Sequence, residues 1–174
     1  MLGRKRRSSL AHYQKNAAGE YIYTGSHYRY AGPMPRKRAF GLLWALLGTG
    51  SLMCLMAGVL PVPGMTGHFY VILPYMACLV LSMGRLWSLG QLTAAGDPIR
   101  QGLYDTSRRR LPGLNLASGV LAALSAMGEG YYLILHGAGD KAPFAAGYLV
   151  LLILAGALAL AGSRVLRPMV WTED

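Results

Sequence analysis

Between Arg38 and Arg85 the chain contains no Asp, Glu, Lys or Arg. A helix rises about 1.5 Å per residue and a bilayer core is roughly 30 Å thick, so the stretch is about twice too long for one crossing. Its middle reads Pro61-Val62-Pro63-Gly64. Proline removes backbone donors there and glycine turns easily. The pattern predicts two membrane helices joined by a tight, uncharged turn.

Acid is scarce throughout, with 7 Asp and Glu against 17 Lys and Arg, for a net charge of +10. Charged residues make up 14 % of the chain, where a soluble domain carries about 25 %. Mean hydropathy is +0.34. Excess base can serve nucleic acid, but most of these residues flank apolar runs. Position makes them a topology signal and an attraction for anionic lipid headgroups, at about 1 kcal/mol each near the surface. The expected partners are therefore the lipid bilayer and its anionic headgroups, with no nucleic acid.

Cysteine is nearly absent. Cys54 and Cys78 both fall inside apolar runs, which excludes a disulfide framework in the loops. The basic start, Met1 to Arg7, is not followed by a short apolar segment and cleavage site. No Walker A loop, G-x-G-x-x-G, serine elbow or C-x-x-C occurs. The polar portions are too short for a catalytic domain. No enzyme activity, cofactor or metal is expected.

What is present divides the chain five ways. Residues 1–38 form a basic arm, and 39–92 a first helical hairpin with spans near 39–60 and 67–92. Residues 93–111 are a basic connection. Residues 112–166 form a second hairpin with spans near 112–136 and 143–163, and 167–174 a short tail. Lys and Arg collect in the arm and the connection, with Arg167 opening the tail, whereas the two turns hold only Lys141. That bias predicts a multi-pass protein of the cell inner or plasma membrane with both termini cytoplasmic. The expected fold is an all-α membrane protein, a four-transmembrane-helix bundle of two antiparallel hairpins. A basic triplet, an apolar helix, a short turn, a second apolar helix and an arginine occur twice, over 36–85 and 108–164. This reads as a repeated hairpin or as the punctuation that any four-span chain with both ends on one side shares.

In the arm, residues 1–18 are polar and aperiodic, which predicts disorder. Gly25-Ser26 suits a two-residue hairpin turn. A β-hairpin over 20–30 would pair Tyr23 with Tyr28 and Tyr21 with Tyr30, setting four tyrosines on one face. The alternative is an extended arm whose tyrosines anchor at the interface.

Two charges lie within the spans. Glu129 sits between Gly128 and Gly130, roughly 10 Å from the outer end of span three by the helical rise. Tyr132 and His136 fall near its face, and His68 and Tyr75 at similar depth on span two. The functional reading is a proton or cation site. The structural one is a carboxyl hydrogen-bonded by Tyr75, Tyr132 or His68. Arg85, followed by Trp87, reads as an inner-interface anchor whose guanidinium reaches back to the headgroups; the alternative is an anion contact.

Small residues at helical spacing let helices approach closely in lipid. Gly41, Ala45 and Gly48 make such a stripe on span one, Gly119, Ala123 and Ala126 on span three, and Ala155, Ala159 and Gly162 on span four. They favour a non-catalytic accessory or scaffold component, as a homo-oligomer or with a membrane partner. The rival is a small proton- or cation-coupled transporter or channel using Glu129.

The tyrosine-rich arm, Leu73-Pro74-Tyr75 and Tyr104-Asp105-Thr106-Ser107 together resemble small four-span bacterial membrane proteins of uncharacterised function. The resemblance covers the layout of most of the chain. It implies the four-span topology and carries no activity.

Overall fold

The computed structural model describes residues 13–15, 21–23 and 25–173. The basic run Arg4–Arg7 lies outside the described residues. Four helices dominate: α1 Arg36–Val59, α2 Phe69–Ala94, α3 Leu111–His136 and α4 Ala142–Leu166. All four are long and apolar enough to cross a membrane. Proline and glycine set their ends. Leu60, before Pro61, is extended with ψ 134°, as the steric demand of a following proline requires. Gly96 (φ +71°) and Gly137 (φ +73°) take the left-handed conformation just past α2 and α3. Pro63–Met65 forms a single 3₁₀ turn between α1 and α2, and Gly139–Lys141 another between α3 and α4.

The helices close a ring in which α1 packs on α2, α2 on α3, α3 on α4 and α4 on α1. One end, the basic end, carries Arg36, Arg38, Arg108, Arg109, Arg110, Arg164 and Arg167; the other carries the two short turns. Phe40, Leu43, Leu47, Leu89, Leu111 and Leu166 belong to an apolar cluster at the basic end. Cys54, Val71, Tyr75, Cys78, Tyr148 and Leu152 belong to a second, toward the turns.

The strands differ from the expected hairpin. β1 (Tyr13–Lys15) pairs with β2 (Tyr21–Tyr23), setting Tyr13 opposite Tyr23. The disorder expected over 1–18 is thus interrupted by a strand at Tyr13–Lys15. β3 (His27–Tyr30) is instead the centre of a three-stranded antiparallel sheet, between β4 (Ile99–Arg100) and β5 (Trp171–Glu173). Tyr28 stands opposite Ile99 on one side and Glu173 on the other. A strand has two edges, and both edges of β3 are taken, so β2 pairs elsewhere. Three strands also hold where a lone hairpin is marginal. Ring contacts seat the sheet on the segment that leads into α3: Tyr28 stacks on Tyr104 at 4.3 Å, and Trp171 meets the same ring edge-on at 6.3 Å. Burial pushes the Tyr30 hydroxyl above its ordinary pKa. Residues 99–108 supply β4, one helical turn and a π-turn, Tyr104–Arg108, leading into α3.

The two hairpins share one device. Arg36, at the start of α1, donates to the Leu92 carbonyl near the end of α2 (3.1 Å). Arg108, just before α3, donates to the Leu166 carbonyl at the end of α4 (2.7 Å) and to the Met169 carbonyl beyond it (3.1 Å). A cation there satisfies carbonyls that have no helical partner and suits the negative end of the helix dipole.

Candidate functional site

Between the two apolar clusters lies a polar layer, and Arg85 is its centre. The side chain is 1 % exposed. Its Nε and Nη2 donate to Ser51 Oγ (3.3 and 3.1 Å), and its Nη1 donates to Ser118 Oγ (3.3 Å). This corrects the expected headgroup anchor. Helical side chains lean toward the helix N-terminus, which for α2 is the turn end. The guanidinium is therefore carried deeper, toward Ser51, and not out to an interface. Trp87, two residues on, lies on the opposite face and is 71 % exposed. Gly50 leaves the room: a Cβ there would sit 3.4 Å from Arg85 Nη2.

Two thiols border this layer. Cys54 Sγ lies 3.8 Å from Cys78 Sγ, and both are buried and free. Cys78 Sγ also approaches the Ser118 carbonyl at 3.4 Å. Ser82 and Ser118 hydroxyls are 3.4 Å apart. Asn115 is fully buried, and neither its amide nitrogen nor its oxygen has a partner among the described residues.

Glu129 occupies a separate level, eleven residues further along α3 than Ser118, or roughly 16 Å by the helical rise. It is 0 % exposed. Oε1 accepts from the Gly64 backbone N–H at 3.4 Å, and Oε2 has no partner among the described residues. The turn Pro63–Met65 therefore lids the carboxyl. The donors expected from the sequence are engaged elsewhere. Tyr75 donates to the Cys54 carbonyl (3.0 Å). Tyr132 stacks on His136 at 4.6 Å and meets the His68 ring at a tilt at 4.8 Å, capping the bundle with an aromatic cluster. Beneath them Ser125 donates to the Val71 carbonyl (3.0 Å), so it accepts from the Tyr148 hydroxyl at 2.7 Å. Among the described residues no three His, Cys, Asp or Glu side chains converge as metal ligands would.

The small-residue stripes divide. Ala155, Ala159 and Gly162 are buried and serve the bundle itself, a correction to their expected role toward a partner helix. A Cβ at Gly162 would meet Leu47 Cδ2 at 2.6 Å. Gly119 and Ala126 also face inward, and a Cβ at Gly119 would lie 3.6 Å from the Gly156 carbonyl. Ala123 is exposed, so it belongs to the outer face of α3. Gly41 and Ala45 are exposed and Gly48 half-buried, with nothing within 4 Å of a Cβ at either glycine. They turn outward because Leu43, Leu47 and Gly50 occupy the inward face of α1.

Ser51, Ser82, Ser118 and Asn115 were not singled out from the sequence, whereas Ser125 was, as a neighbour of the Glu129 face. Their signal was the spacing Asn115, Ser118, Ser125, Glu129, which sets one polar face along α3. Comparison of the chain with family models, with curated proteins and with solved structures gives no match.

Proposed function

We propose that this chain is a multi-pass protein of the cell inner or plasma membrane, with its basic end cytoplasmic, and that it is a non-catalytic accessory or scaffold component that receives another membrane helix. The three-stranded sheet supports the orientation. It joins the arm, the connection and the tail by backbone pairing, so these three segments share one side, as the Lys and Arg bias demands.

The observation that carries the scaffold role is an open apolar groove of about 810 Å³ between α1 and α2, lined by Trp44, Met83, Gly84, Trp87 and Gly90. Gly84 and Gly90 leave its floor without side chains, with nothing within 4 Å of a Cβ at either. Gly41 and Gly48 stand one turn either side of Trp44 on α1. Backbones can approach closely at such a surface, and packing is what drives helix association in lipid. Gly48→Leu with Gly84→Leu should leave unfolding in detergent within about 0.5 kcal/mol of the parent, as for surface changes that meet nothing. The same pair should abolish the higher-mass species that cross-linking traps in native membranes. An unchanged cross-linking pattern would refute the role.

Glu129 favours a second reading, a small proton- or cation-coupled transporter or channel. Its Oε2 is buried without a partner among the described residues, and carboxyls held inside membrane bundles mark ion paths. On that reading Glu129→Gln folds normally and reduces proton or cation flux in proteoliposomes to the empty-vesicle rate. On the scaffold reading the variant shows parent-like cross-linking and there is no flux to lose.

A further inference from the structure

A second groove, of about 450 Å³, lies between α3 and α4 at the basic end. Ser163, Arg164 and Arg167 line it, with Pro112, Leu116 and Leu160. Its volume is within the roughly 300–1,000 Å³ of small-molecule sites. The polarity is divided along the bundle axis. The arginines stand at the rim, whereas Leu116 and Leu160 lie about a turn deeper, each exposed along the groove at 57 % and 46 %. We propose that this groove binds the phosphate headgroup and upper acyl chain of an anionic phospholipid. The proposal rests on the membrane orientation given above.

Charge argues for this occupant. Neither Arg164 nor Arg167 has an acidic partner among the described residues. The first turn of α3 adds the positive end of a helix dipole beside Pro112. The opposing negative end of α4 is offset by Arg108, which donates to its last carbonyl, that of Leu166. The rim is therefore positive from both helices, while the floor is hydrocarbon. A phosphate-bearing amphiphile oriented along the membrane normal matches both halves, and a free anion matches only one.

The test is native mass spectrometry of the full chain released from micelles holding equal phosphatidylglycerol and phosphatidylcholine. The parent should retain phosphatidylglycerol selectively. Arg164→Gln with Arg167→Gln should cut that selectivity by about tenfold or more, since each arginine near an anionic lipid gives about a fivefold preference. Lys37→Gln with Arg38→Gln removes equal charge from the same end outside the groove and should leave it unchanged. Leu116→Trp fills the apolar floor, keeps both charges, and should also lose the lipid; it decides the matter if the arginine double variant does not fold. Equal loss in the Lys37/Arg38 control, full retention in Leu116→Trp, or displacement by millimolar inorganic phosphate would each overturn the groove. Flotation with liposomes reports separately on the membrane reading: a chain that floats but shows no lipid preference refutes the groove alone.

Discussion

Gly128→Ala should be the most damaging single methyl in the bundle. An added Cβ would lie 2.6 Å from the Tyr70 carbonyl oxygen and 3.2 Å from its carbon. Both are backbone, so no rotamer change relieves the contact, and α2 and α3 must separate at the turn end. Overpacking of this kind costs about 3 kcal/mol or more. Gly130 is the internal control. It follows Glu129 in the same helix and has nothing within 4 Å of a Cβ. Gly130→Ala should therefore be neutral or gain about 0.5–1 kcal/mol from helix propensity. Circular-dichroism unfolding in detergent separates the two. Equal midpoints would mean that α2 and α3 do not approach as described. The contact also matters to the site, because the same approach brings the Pro63–Met65 turn over Glu129.

The helices were legible because their signal is local. Charge-free runs, prolines at 61, 112 and 143, and glycines at the turns place each boundary within a few residues of the observed ones. The strands were not. Gly25-Ser26 gives a strong local turn signal, but β3 is held by Ile99 and Trp171, far away in sequence. No period within the arm reports partners so distant. Arg85 was misread for a related reason. Its distance from the end of α2 suits a headgroup contact. The hydroxyls that hold it inward, Ser51 and Ser118, come from two other helices. Glu129 was legible as a buried carboxyl, because its neighbours are small; its donor, a backbone N–H in a turn, has no sequence signature.

Arg85→Met should raise the unfolding midpoint, and Ser51→Val with Ser118→Val should lower it sharply. The guanidinium is buried with hydroxyls for partners and no carboxylate among its hydrogen bonds. Removing an ion from water costs several kcal/mol even after relaxation, and an arginine at the centre of a membrane helix costs about 2.5–3.5 kcal/mol on insertion scales. A methionine of similar length fills the space and removes that cost. It also orphans nothing. Ser51 already donates to the Leu47 carbonyl (2.8 Å), and Ser118 keeps Ser82 within 3.4 Å. Exchanges of a buried charge for a well-packed hydrophobe are neutral or gain about 1–4 kcal/mol. The valine pair does the reverse: it keeps the charge and strips its acceptors, a loss of about 3–5 kcal/mol. The opposite signs are the test. If Arg85→Met loses as much as the valine pair, the polar layer is a net source of stability. If it gains, then stability does not explain an arginine at that position, and the role of Arg85 must be sought in what the folded bundle does.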